Sequence, residues 1–268
     1  MRPTAGSAYR LGVLRWLLIG VLVWPAAGRA QSFDPAELIE RVERSLRGDT
    51  VRMRAEMRIT TPRWTRVVEF SSWDDRAGDR SFIRILSPRK DRGTGFLRVQ
   101  GTFWTWLPRV ERTLRIPPSM MLQSWMGSDF TNDDLARESS LSEDYSARSL
   151  GGREREGTRA WGVELTPHAD APVVWARVEA WIEPETLAPL SLLYYDEPDP
   201  GRFELLRELR FSDVRPVQGR AFPHTWLMLP RDKPGHSTEM HIVSSVFDEP
   251  FDEALFTQEH LRRATGVR

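Results

Sequence analysis

From Val51 to Ile59 the chain alternates without a break: Val51, Met53, Ala55, Met57 and Ile59 are separated by Arg52, Arg54, Glu56 and Arg58. Successive side chains of an extended chain point to opposite faces, so this stretch reads as a half-buried β-strand. Comparable segments recur at 67–73, 81–86, 96–99, 102–107, 160–166, 173–182, 190–195, 203–211, 222–229 and 239–247. Clusters of Gly, Pro, Asp and Ser punctuate them, as at 75–79, 197–201 and 231–235. Connections this short imply antiparallel pairing, and no internal repeat points to a propeller or solenoid. A sheet of about eleven strands cannot stay flat, because strand twist accumulates and the sheet curls. The expected fold is therefore mainly β with a few helices: a curved antiparallel sheet forming an incomplete barrel.

Several strands are apolar on one face and amphipathic on the other. In 173–182 one face carries Val174, Ala176, Val178, Ala180 and Ile182, and the other Trp175, Arg177, Glu179 and Trp181. The apolar inside of a curled sheet needs a cover, which helices or a ligand must supply. One helix is readable ahead of the strands. Asp34-Pro35 forms a cap and first-turn pair, Leu38, Ile39, Val42 and Leu46 follow at helical spacing, and Gly48 closes it.

Residues 1–30 carry Arg2, Arg10, Arg15 and Arg29, no carboxylate, and an apolar run between Trp16 and Trp24 interrupted only by Gly20. Pro25 ends the run, and Gly28-Arg29-Ala30 offers small residues before a cut. This order reads as a secretory signal peptide cleaved near Ala30, and the run is well short of the ~20 residues that span a bilayer. Residues 31–268 are then expected to form one exported, periplasmic domain. The 38 basic and 38 acidic side chains of the whole chain balance, but losing residues 1–30 leaves 34 against 38, a charge of −4. A mildly acidic mature chain argues against nucleic acid as a partner. The chain has no cysteine, which excludes disulfides, thiolate metal sites, a cysteine nucleophile and a lipid-anchored N-terminal cysteine.

The segment 102–135 holds the densest information. Phe103, Trp104 and Trp106 precede a Pro-bounded turn and a short strand, 110–116, which Pro117-Pro118 ends. Ser119 then caps an expected short helix with Met120, Met121, Leu122, Trp125 and Met126, ending at Gly127. Methionines and a tryptophan so close together make a deformable apolar surface suited to varied shapes. Such a helix either plugs the core or forms a movable lid over a cavity, and in an unloaded protein it can do both.

Leu107-Pro108, Arg115-Ile116-Pro117 and above all Met126-Gly127-Ser128-Asp129-Phe130-Thr131 with Asp134-Leu135 resemble the LolA-like outer-membrane lipoprotein-sorting protein family. The family often has tyrosine before Leu-Pro, where this chain has Trp106. The ending Phe251-Asp252-Glu253-Ala254-Leu255-Phe256-Thr257 with Leu261 is also similar, so the resemblance spans nearly the whole mature chain. It implies a periplasmic half-barrel closed by an N-terminal helix and a central lid helix. It further implies a carrier of lipoproteins or other lipids, working beside an inner-membrane permease or exporter and an outer-membrane acceptor. It does not imply an enzyme, and a monomer suits a shuttle.

Motifs of other chemistries fail. An EF-hand frame started at Asp129 meets Asp134 where glycine is required and Ser140 where a bidentate glutamate is required. Asp129, Asp133 and Asp134 read instead as turn and helix-start residues, with a fold-locking hydrogen bond from Asp129 as the interesting variant. His168, His224, His236, His241 and His260 form no His-Glu-x-x-His or His-x-His arrangement, so no metal is indicated. Gly93-Thr94-Gly95 lacks the third glycine of a dinucleotide loop, and no Gly-x-Ser-x-Gly elbow occurs. No catalytic residue and no cofactor are expected.

Three functions are carried forward: a carrier shielding acyl chains, a non-carrying adaptor of an inner-membrane exporter, and an envelope enzyme such as a hydrolase. For the carrier, Met53, Met57, Trp104, Trp106, Met120, Met121, Leu122, Trp125 and Met126 are the cavity and lid candidates. Gly127, Ser128, Asp129, Phe130 and Thr131 form the structural motif beside them.

Overall fold

The computed structural model describes residues 33–136, 140–155, 157–171 and 173–263. The expected signal peptide, 1–30, lies outside the described residues. Helix α1 (Pro35–Arg47) begins where Asp34 caps it, its carboxylate accepting from the amides of Ala36 and Glu37 at 2.9 and 3.5 Å. Its apolar stripe, Leu38, Ile39 and Val42, is buried.

Six strands follow: β1 (Thr50–Thr60), β2 (Thr65–Asp75), β3 (Arg80–Ser87), β4 (Gly95–Val99), β5 (Thr102–Leu107) and β6 (Arg112–Ile116). A long connection holding the five-residue helix α2 (Asn132–Ala136) leads to seven more. These are β7 (Tyr145–Arg155), β8 (Thr158–Pro167), β9 (Arg177–Ile182), β10 (Pro189–Asp199), β11 (Arg202–Val217), β12 (Arg220–Pro230) and β13 (Ser237–Phe247). A 3-10 turn at Glu253–Phe256 and helix α3 (Gln258–Arg262) complete the described chain. None of the described helices is long and apolar enough to cross a membrane.

All thirteen strands join one antiparallel sheet in the order β6-β5-β4-β3-β2-β1-β13-β12-β11-β10-β9-β8-β7. Each strand pairs with its neighbour in sequence, except that β1 pairs with β13 and the sheet is left open between β6 and β7. The chain thus meanders outward from the β1–β13 pair in both directions, and the β6–β7 connection links the two free edges.

Strand parity sorts the side chains onto two faces. Along β1 the residues Val51, Met53, Ala55, Met57 and Ile59 are at most 6% exposed and face inward, against α1 and the β6–β7 connection. The outer face carries two smaller apolar clusters. One, of Trp73, Phe82, Leu97 and Trp106, is covered by Phe256 and Leu261 of the C-terminal segment. In the other, Trp181 is fully buried although it points outward, because the guanidinium groups of Arg153 and Arg155 lie 4.1 and 4.9 Å from its ring.

Three expectations need correction. The sheet has thirteen strands rather than about eleven, chiefly because β7 joins it as an edge whose residues after Tyr145 are half-buried or exposed. The strand expected at 173–182 forms only over Arg177–Ile182. The lid helix expected from Ser119 to Gly127 is absent: a 3-10 turn at Pro118–Met120 leads into a hairpin, and the helix, α2, comes after it. Met126 and Gly127 have φ of +54° and +79°, a mirror-image turn that helical backbone cannot contain. Serine hydroxyls hold this alternative, with Ser128 Oγ donating to the Trp125 carbonyl at 2.7 Å.

Candidate functional site

The β6–β7 connection folds over the inner face as a lid. Its hairpin is closed by hydrogen bonds from the Trp125 amide to the Phe130 carbonyl (2.8 Å) and from the Asn132 amide to the Gln123 carbonyl (3.0 Å). The tip is the turn Trp125-Met126-Gly127-Ser128, where the Ser128 amide donates to the Trp125 carbonyl at 2.9 Å. A Cβ on Gly127 would meet nothing within 4 Å, so glycine is required there by backbone conformation and not by space.

Trp125 is the plug. It is fully buried, edge-on to Phe70 with ring centroids 5.4 Å apart and tilted against Phe96 at 5.2 Å. Met121 and Phe130 enter the same core from either side of the hairpin. Between this lid and the wall remains a cavity of about 30 Å³, bordered by Met53, Ala55, Phe70, Phe130, Trp226 and Met240. That volume holds about one water molecule and no acyl chain.

The expected site residues separate accordingly. Met53, Met57, Met121 and Trp125 share the inner core, with Met126 packed against it. Met120 is half-buried, and Leu122 is 45% exposed. Trp104 and Trp106 are not brought to this site. In β5 the odd positions Phe103 and Thr105 point the other way, and Trp104 and Trp106 join the outer cluster under the C-terminal segment. Phe70, Phe96, Phe103, Trp226 and Met240 are inner-face residues that sequence reasoning missed. The signal available for them was the parity of strands paired to β1, once β1 is assigned a face.

Polar contacts latch the lid to four places on the wall. The Asp129 carboxylate and amide pair with the buried Thr238 hydroxyl of β13. Arg66 of β2 donates to the Met126 carbonyl at 3.2 Å. The last carbonyl of α2, Ala136, accepts from Ser81 Oγ of β3 at 3.1 Å and Arg98 Nε of β4 at 3.0 Å. Arg207 of β11 donates both terminal nitrogens to Asp134, at 2.6 and 2.7 Å. Asp134 also accepts the Thr131 amide at 2.8 Å while Thr131 Oγ1 accepts the Asp134 amide at 3.1 Å, a reciprocal cap of α2. Beyond α2, Glu43 of α1 gathers Ser140, Leu141 and Ser142, its carboxylate accepting from the Leu141 and Ser142 amides at 3.2 and 3.0 Å.

The electrostatics follow from burial. Desolvation pulls the Arg207 guanidinium towards losing its proton, but the charge and hydrogen bonds of Asp134 outweigh it, and the net direction is up. Burial likewise pushes the phenols of Tyr145 and Tyr194 up, so both stay neutral. Among the described residues no three His, Asp or Glu side chains converge as a metal site. The arrangement offers an apolar wall, an apolar plug contributed by a connection, and polar latches between them.

The architecture is shared with solved structures. It matches a domain assigned to outer membrane lipoprotein sorting from Vibrio parahaemolyticus, with a TM-score of 0.72 and 24% identity over 85% of this chain and 98% of that one. A DUF1329 family protein from Desulfovibrio piger matches with a TM-score of 0.75 and 22% identity, covering 85% and 100% of the two chains. A LolA superfamily protein from Nitrosomonas europaea matches with a TM-score of 0.71 and 17% identity, again over 85% and 100%. No curated protein matches the chain. A family model described as "-like: Uncharacterized protein" matches residues 77–263, well over half of the sequence. The chain therefore belongs to the family of that model, and its fold is LolA-like.

Proposed function

We propose that the protein is a periplasmic carrier that takes the acyl chains of a lipoprotein or another lipid into its half-barrel and shuttles them towards the outer membrane. One observation carries this reading. Beside α1, the segment that fills the apolar inner face, with Met121, Trp125 and Phe130 as its plug, is the connection between the two free sheet edges, and polar contacts tie it to the wall. A plug that belongs to a connection and not to a strand can leave without breaking the strand pairs of the wall. Its departure exposes Met53, Met57, Phe70 and Met240, and a buried methylene gains about 0.8 kcal/mol there. The likeness to a lipoprotein-sorting domain supports the same reading. An inner-membrane permease or exporter as donor and an outer-membrane acceptor complete it.

Native mass spectrometry of the protein purified from the periplasm tests it. Co-purifying lipid or lipoprotein, or stoichiometric uptake of added lipid, is expected. A protein that is always empty and refuses added lipid overturns the proposal.

The nearly filled interior favours one second reading, an adaptor that docks on an exporter without carrying cargo. The edge strand β6 presents Leu114 at 44% exposure for such a contact. Crosslinking to a permease with no lipid transferred would select it.

A further inference from the structure

Arg207 stands on the inner face of β11, directly across from Tyr194 of β10. Its guanidinium lies 4.2 Å from the Trp175 ring centroid and 4.4 Å from that of Tyr194, and the residue is 5% exposed. The wall thus supplies a planar cation and two aromatic faces. The lid supplies the anion: both oxygens of Asp134 accept from the guanidinium in a bidentate pair.

Other buried or half-buried cations near the lid are paired differently. Arg47 is matched by Asp74 of β2, Arg66 by Asp91 and Arg98 by Asp79, none of which belongs to the lid. Their charges stay neutralised whether or not the lid is in place. Arg207 is instead paired with Asp134, and the neighbouring Asp133 adds negative charge, both on α2. When acyl chains take the place of the lid, the guanidinium therefore stays out of water in an apolar trough without its counter-ion. Removing one partner of a buried ion pair is strongly unfavourable, whereas exchanging that partner for another anion is not.

We propose that Arg207 is the receptor for an anionic headgroup of the cargo, a phosphate or carboxylate that replaces Asp134 when acyl chains replace Trp125. This inference rests on the carrier reading and specifies its substrate class: amphiphiles with an oxyanion at the head of the chain. Asp134 then acts as an internal competitor. The lid opens readily for an anionic lipid, which satisfies Arg207, and poorly for a neutral lipid, which leaves the guanidinium unpaired. Trp175 and Tyr194 keep the guanidinium plane oriented while the partner changes.

The test uses the full chain and three amphiphiles of matched chain length: phosphatidic acid, a free fatty acid and uncharged diacylglycerol. Wild type is expected to bind the two anions at least about tenfold more tightly than diacylglycerol, the gain of a charge-assisted hydrogen-bonded pair. Arg207→Met should abolish that preference while diacylglycerol binding persists, and Arg207→Lys should retain part of it. Should Arg207→Met fail to fold, Asp134→Asn leaves the receptor in place and weakens its competitor. It should tighten the anionic lipids more than diacylglycerol. Equal affinities for all three in wild type, or an equal gain for all three in Asp134→Asn, overturns the proposal and leaves the carrier intact. Binding of none of them overturns the carrier reading, and this inference with it. Displacement of the lipid by inorganic phosphate at equal concentration would assign the site to a free oxyanion and overturn the lipid headgroup as its ligand.

Discussion

The backbone amide of Asp129 donates to Thr238 Oγ1 at 3.0 Å, and the same hydroxyl donates to Asp129 Oδ2 at 2.7 Å. This two-way contact ties the tip of the lid to strand β13 across 109 residues of sequence. Thr238→Val keeps the shape of the side chain and removes both bonds, leaving a buried amide and carboxylate oxygen unmatched. A loss of about 1–3 kcal/mol is expected. It should appear first as faster hydrogen exchange at the Trp125, Asn132 and Asp133 amides, which bond within the lid. Amides pairing β1 with β13 should keep their protection. Equal acceleration in both places would show that Thr238 stabilises the sheet and not the lid.

Trp125→Ala empties the plug. Truncating a fully buried tryptophan costs about 3–5 kcal/mol, part of it for the void left against Phe70 and Phe96. A long-chain lipid that enters this void stabilises the variant by mass action, about 2.7 kcal/mol at a hundred times its Kd. The urea midpoint of Trp125→Ala should therefore rise more on adding lipid than that of wild type. Equal rises would place the chain elsewhere.

The turn at the lid tip gives a conformational test. Gly127 sits at φ +79° in open space. Gly127→Val, a β-branched residue in the left-handed region, should cost about 1–3 kcal/mol, and Gly127→Asn distinctly less. Chemical denaturation of both variants checks the order, since a purely steric role would penalise both alike.

The sheet was legible because burial on one face leaves a period of two, and β1 shows it in every residue from Val51 to Ile59. Which face is inner was not legible. In β5 both faces are apolar, since the C-terminal segment covers Trp106 while Trp125 meets the wall opposite, so alternation alone could not assign Trp104 and Trp106. Strand β7 was invisible for the opposite reason: an edge with one fully buried residue, Tyr145, has no period to detect. The lid misled because Met121, Leu122, Trp125 and Met126 fall at helical spacing, while the positive φ of Met126-Gly127 and the Ser128 hydroxyl decide the backbone. Arg207 gave no signal, since its partner lies 73 residues away.

Gly162 and Trp181 face each other across β8 and β9 on the outer surface of the sheet. A Cβ on Gly162 would lie 2.6 Å from Trp181 Cη2, closer than side chains pack, so Gly162→Ala must displace the indole from beneath Arg153 and Arg155. A cost of about 1–3 kcal/mol is expected, the usual penalty for overpacking. Trp181→Phe removes the colliding ring atoms. In a double-mutant cycle Gly162→Ala should then cost less in the Trp181→Phe background. Additive costs would trace the effect to the glycine backbone instead.

The C-terminal segment should loosen on acidification. The His260 ring lies edge-on to Phe82, with centroids 5.1 Å apart, where α3 covers the outer cluster. Burial, with Arg84 and Arg263 adding like charge, holds its imidazole below the ordinary 6.5 against a weaker upward pull from Asp252. The folded state therefore takes up a proton less readily than the unfolded chain. The contribution of His260 is complete above pH 6.5 and is lost as the pH falls from there through the lower folded value. His260→Phe keeps an aromatic ring beside Phe82 and removes the titration. Relative to that variant, the wild-type urea midpoint should drop steadily between about pH 7 and pH 5, above the range where carboxylates protonate. Proteolysis of the C-terminal segment should accelerate over the same interval in wild type alone. Parallel midpoints for the two proteins across that interval would show that His260 does not govern how this segment docks.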